Sequence, residues 1–315
     1  MTVISQREAF GRALLDFGAQ NDNIVVLDAD TSCSTMSKYF AEAYPDRFIN
    51  VGIAEPCLVD TAVGLALGGF TPFVNAFSAL LSLRALEQIR TCVAYAHTNV
   101  KLAAGYAGLS DYKDGPTHHS IIDIGIMRML PGMTVIVPAD ALEIKAWVPV
   151  IAAHPGPVFL RLSRSGTENV HAAQPEVHIG RGFTLREGRD VSIICAGTMV
   201  HRCLQAADGL AQQGIHAAVV DMPCIKPIDE RLILESAETT GAIVTAEEHS
   251  ILGGLGGTVA EVLGRNHPIP LERVGIQDAF AITGPDPETL MDACGLSMTD
   301  IIQACQRVVA RKHGG

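Results

Sequence analysis

Along this chain, short runs of β-branched and apolar residues alternate with longer stretches whose apolar positions recur every three or four residues. The short runs predict strands at 24–27, 48–50, 72–75, 100–103, 134–137 and 158–162. The longer stretches predict helices at 6–19, 55–67, 78–96, 121–129 and 141–153. Strand, helix and strand in succession need crossover connections, hence a parallel sheet covered on both faces. The alternation lapses across 166–181, a polar stretch containing proline. It restarts with strands at 191–196, 217–221 and 242–246 and helices at 200–213, 230–240, 257–263 and 298–311. The expected fold is α/β, two doubly wound domains covering residues 1–178 and 179–315. Such sheets bind ligands beyond the carboxyl ends of their strands. Glu55, Phe77 and the loop 105–119 all follow predicted strands.

Composition narrows the function classes. Of 315 residues, 48% are hydrophobic and 18% charged, which suits well-packed domains rather than disorder. The net charge of -11 argues against nonspecific binding to nucleic acid or to anionic membranes, both of which favour basic surfaces. Charge or glycine interrupts the longest apolar runs, so no segment spans a bilayer, and the first residues lack a signal-peptide core. The 8 cysteines include no Cys-x-x-Cys pair, and several lie in apolar segments. Reduced thiols and a cytoplasmic location are expected.

Two segments carry chemistry. In Phe48-Ile49-Asn50-Val51-Gly52-Ile53-Ala54-Glu55, a glutamate opens a helix just after a buried strand. A carboxyl there can occupy an apolar pocket and hold a proton near neutral pH, although a helix-dipole contact is the commoner use of that position. In Asp114-Gly115-Pro116-Thr117-His118-His119, a loop offers a mobile proton and a fixed hydroxyl acceptor.

With these motifs in this order, nearly the whole chain resembles the C-terminal half of transketolase, as found where that enzyme is split into two polypeptides. The resemblance implies a pyrimidine-binding domain followed by a transketolase C-terminal domain. It further implies thiamine diphosphate as cofactor and transfer of a two-carbon ketol unit from a ketose, expected to be a phosphate, to an aldose. Glu55 is then the residue that hydrogen-bonds the aminopyrimidine ring and promotes proton removal from the thiazolium carbon. Phe77 packs on the pyrimidine; Leu80 stands where relatives commonly carry a second aromatic, and Asp30 lies near the cofactor and the subunit interface. Asp114 reads the hydroxyl beside the ketose carbonyl. His118 contacts the oxygens of the transferred unit and is, with Glu55, the implied catalytic pair. His119 is a weaker candidate, at a position where many relatives have glutamine. Arg7, Ser34 and Arg164 match the anchor of the distal phosphate, with surface ion pairing as the alternative for both arginines. Tyr106 replaces a family histidine in that anchor, and Pro56 follows Glu55 where glutamine or histidine is usual.

The family's magnesium-diphosphate motif, Gly-Asp-Gly, does not occur in the sequence. The resemblance therefore implies no metal ligand on this chain and a partner that holds Mg2+. That partner would be an N-terminal transketolase subunit with the diphosphate-binding domain, and the assembly a heterotetramer with two copies of each chain. Three alternatives stay open: a 1-deoxy-xylulose-5-phosphate synthase, which shares the loop but is normally one long chain; the beta subunit of a 2-oxo acid dehydrogenase; and a non-catalytic paralogue. In the second domain, Thr245-Ala246-Glu247-Glu248-His249-Ser250 and the glycines at 253–257 lack dinucleotide-binding spacing. They are expected to form a turn and helix start that pack against a partner subunit.

Overall fold

The computed structural model describes residues 3–313. The first half runs α1 (Gln6–Gly18), β1 (Ile24–Asp28), α2 (Ser32–Thr35), α3 (Lys38–Ala43), β2 (Phe48–Asn50), α4 (Glu55–Leu67) and β3 (Thr71–Phe77). It continues with α5 (Ser78–Arg84), α6 (Leu86–Gln88), β4 (Lys101–Gly105), α7 (Asp123–Met129), β5 (Thr134–Ile136), α8 (Ala141–Ala153) and β6 (Val158–Arg161). The second half holds β7 (Phe183–Arg186), β8 (Val191–Cys195), α9 (Met199–Ala211), β9 (Ala217–Asp221), β10 (Cys224–Lys226) and α10 (Glu230–Thr240). It ends with β11 (Ile243–Ser250), α11 (Leu255–Asn266), β12 (Leu271–Ile276), α12 (Pro287–Ala293) and α13 (Met298–His313).

Two sheets result, ordered β10-β5-β6-β4-β3-β1-β2 and β12-β11-β8-β9-β7. All pairings are parallel except β10 with β5 and β7 with β9. Successive residues of a strand point to opposite faces, and here both faces are covered. In β1, Ile24 and Val26 join a core with Phe10, Phe40, Phe73 and Trp147, while Val25 and Leu27 join Leu58, Val74 and Leu102 on the other side. This is the doubly wound α/β arrangement expected from the alternation.

The structure departs from the sequence reading in three places. The helix expected over 78–96 is broken: Ala85 leaves helical geometry, and Ile89–Tyr95 forms a π-helical segment. The strand expected at 242–246 extends to Ser250, and its following helix begins at Leu255. Strands β7, β10 and β12 and helices α2, α3 and α12 were not expected. They are short or carry mixed polarity, so their periodicity is weak. β10 crosses between the halves, pairing Cys224 with Ile136 in the first sheet. No helix among the described residues is long and apolar enough to cross a membrane.

Candidate active site

The β2–α4 turn delivers Glu55. Ala54 has non-helical backbone angles, Glu55 occupies the first turn, and Pro56 follows where a missing N–H costs nothing. Glu55 is 3% exposed, as its expected pocket requires. That pocket is not wholly apolar, because the half-exposed Arg84 places Nη1 3.5 Å from Glu55 Oε2.

On the neighbouring strands, β3 ends at Phe77 and β4 at Gly105, paired in register. The Phe77 ring lies 4.4 Å from that of Tyr106 and 6.2 Å from that of His118, the latter edge-on. Tyr106 holds φ +57°, a left-handed conformation rare for a bulky residue. Arg7 donates to its hydroxyl at 2.8 Å and to the Ser34 carbonyl at 2.9 Å. The Arg7 and Arg164 guanidinium groups lie 5.5 and 5.2 Å from the Tyr106 ring centre. Thus Arg7, Ser34, Phe77, Tyr106, His118 and Arg164 converge on one cluster around Tyr106.

Other expected site residues stand outside that contact network. Asp30 is exposed at the end of β1, in left-handed backbone, and exchanges hydrogen bonds with Asn50. Leu80 is half-buried in α5. Asp114 is exposed on the loop after β4, whereas His118 is half-buried and its Nδ1 lies 3.0 Å from Thr117 Oγ1. His119 is 6% exposed and neither ring nitrogen has a hydrogen-bond partner. Burial, reinforced by neighbouring His118, lowers its pKa from the usual 6.5.

The sequence reading missed Asp111 and Glu248. Asp111 is fully buried and pairs with Arg164 at 3.2 Å. Burial and then the facing Asp114 push its carboxyl above the usual range. Glu248 reaches from β11 into the first domain: it accepts from the Leu109 backbone N–H at 2.8 Å and from Thr198 Oγ1 at 3.0 Å. Beneath the loop, reciprocal backbone bonds join Gly108 and Ser120. Arg161 donates to the Ser120 and Glu248 carbonyls and pairs with buried Asp123 at 2.9 Å. The second-domain segment 245–250 therefore packs against the first domain of its own chain. Its helix-start role holds too, since Glu247 accepts from the backbone N–H groups of Leu255 and Gly256 at the head of α11. The contacts of Asp111 and Glu248 were not visible locally, because Arg164 and Leu109, their respective partners, are far from them in sequence.

Two parallel-sheet domains, with acid, base and aromatic groups beyond adjacent strand ends, define a two-domain α/β protein with an enzyme-like site. The model of the transketolase pyrimidine-binding domain matches residues 2–169, and that of the transketolase C-terminal domain matches residues 180–301. The chain belongs to the transketolase family. It is 42% identical to the 6-deoxy-6-sulfo-D-fructose transketolase subunit SqwH of Clostridium sp. (strain MSTE9), over 98% of this chain and 95% of that protein. It is 37% identical to an apulose-4-phosphate transketolase subunit of Phocaeicola vulgatus, over 91% of this chain and 92% of that one. A solved structure described as a split gene transketolase, inactive beta4 tetramer, superposes with a TM-score of 0.90 at 45% identity, covering 99% of this chain and 100% of that chain.

Proposed function

We propose that this chain is the C-terminal subunit of a split transketolase, which moves a two-carbon ketol unit from an anionic ketose to an aldose. The observation that carries this reading is Glu55, buried at the head of α4, together with Phe77 at the carboxyl end of β3 and His118 on the loop after β4. These groups fit the pyrimidine end of thiamine diphosphate: a shielded carboxyl can hold a ring nitrogen, and an aromatic face can align a flat heterocycle. When bound, the cofactor supplies the carbon nucleophile that carries the transferred unit.

The chain's own residues then have separate tasks. Glu55 holds a hydrogen bond and a proton at the pyrimidine nitrogen, with Arg84 at the rim. Phe77 and Leu80 form an apolar wall, and Asp30 lies at the adjoining strand end. His118 moves protons at the sugar oxygens, while Asp114 accepts from a sugar hydroxyl. Arg7 and Arg164, with Ser34 and Tyr106 between them, hold the distal anion. The phosphate and sulfo groups in the two relatives' names support an anionic substrate. The diphosphate and Mg2+ belong to an N-terminal partner subunit, in an assembly of two copies of each chain.

Two measurements test the reading. Calorimetric titration should detect magnesium-dependent thiamine diphosphate binding by the mixture of subunits and not by this chain alone; tight binding by this chain alone would overturn the shared site. In the reconstituted complex, Glu55→Gln should lower ketol transfer by about 10²-fold or more. Unchanged turnover would remove Glu55 from the mechanism.

A further inference from the structure

Away from the candidate active site, α8, the stretch after β6 and the end of β9 meet around Glu143, His171 and Asp221. One ligand atom from each lies within 4.8 Å of the others. Glu143 and Asp221 are fully buried, and the His171 side chain is 8% exposed. Both Asp221 oxygens and His171 Nε2 lack hydrogen-bond partners, although Nε2 approaches Asp221 Oδ2 to 3.5 Å. Glu143 is the fixed member: it accepts from Trp147 Nε1 at 2.8 Å and from the Ala139 backbone N–H at 2.6 Å. Nearby Asp140 accepts from the backbone N–H groups of Glu143, Val170 and His171, which fixes the start of the imidazole's segment.

No arginine or lysine pairs with Glu143 or Asp221 among the described residues. The pocket thus gathers two carboxyl groups and an imidazole without a cationic side chain, and it leaves buried polar atoms of Asp221 and His171 unused.

We propose that Glu143, His171 and Asp221 bind a divalent transition-metal ion of the zinc class, joining the two domains. Two carboxylates balance a 2+ charge, and a neutral imidazole nitrogen suits zinc-like ions better than Mg2+ or Ca2+, which favour oxygen alone. Metal–ligand bonds of about 2.0–2.2 Å require the three donor atoms to draw closer than their present limit. Asp221 and His171 have the unused atoms that can make this movement, while Glu143 stays tethered. Three protein ligands leave a fourth position for water. The ion would tie α8 of the first domain to β9 of the second, so its effect is structural.

The test uses the full-length chain, stripped with a chelator, incubated with zinc ions and dialysed. Elemental analysis should find one zinc per wild-type chain and none in Asp221→Asn or His171→Ala. Zinc should raise the melting temperature of the wild type and leave both variants unmoved. A wild type that retains no zinc and shows no thermal shift would overturn the site, leaving a proton shared between the two carboxyls as the arrangement there. Equal zinc retention by wild type and variants would also overturn it, placing the metal on other groups such as the exposed Cys33 and Cys57.

Discussion

At the scale of single residues, the site is built from side chains whose surroundings limit what they can do. His119 shows this most clearly. It is buried beside His118, so protonation would place a charge in a poorly solvated pocket next to a second imidazole, and the Asp111 backbone offsets this only in part. Its pKa is lowered in the fold from the usual 6.5. Below pH 6.5 the unfolded chain therefore binds a proton that the folded chain refuses, and stability falls with pH until the folded pKa is passed. Wild type should lose more melting temperature between pH 7 and 5 than His119→Gln, which carries no titrating group. Parallel curves would show that His119 is accommodated in its charged form. Tyr106 illustrates the opposite case, a strained residue kept by its contacts. Left-handed backbone costs about 1–2 kcal/mol for such a residue, and Arg7, Arg164 and Phe77 surround the side chain that bears it.

At the scale of elements, the loop between β4 and α7 depends on support from the other domain. Gly108 has φ +64°, and a Cβ there would lie 2.4 Å from the Glu248 carboxyl carbon. Gly108→Ala should destabilise by at least about 1–2 kcal/mol from backbone strain alone. It should also lower ketol transfer by displacing Asp114 and His118, measured by urea unfolding and by turnover in the complex. An unchanged urea midpoint would mean that the loop shifts freely over Glu248. Legibility in the sequence follows the same division. The limits of β2, α4, α8 and α10 were readable because each is a continuous periodic run between turn or cap residues, such as Asp229 before α10. The π-helical segment at 89–95 was not, since it changes hydrogen bonding while leaving the apolar spacing nearly intact. Glu55 and His118 could be singled out as candidates because their motifs are local. Asp111 and Glu248 could not, because burial and contacts across the fold give them their roles.

At the scale of the whole molecule, one guanidinium links the two domains and the base of the loop between β4 and α7. Arg161 ends β6, is 5% exposed, and donates to Asp123 and to the carbonyls of Ser120 and Glu248. Asp123 is fully buried; burial pushes its carboxyl upward, but Arg161 and then His249 and Ser78 outweigh this and hold it below its usual range. Removing one partner of such a pair strands the other charge, at a typical cost of about 3–5 kcal/mol. Arg161→Met should therefore unfold at a much lower urea concentration. Asp123→Asn combined with Arg161→Met should recover part of the loss, because the double variant no longer strands the Asp123 charge. Additive losses in the two single variants would instead mean that Arg161 acts chiefly through the two carbonyls. Turnover in the complex separates the consequences further: the double variant can regain stability without regaining activity, since Ser120 and Glu248 still lack the donor that aligns the loop with the second domain.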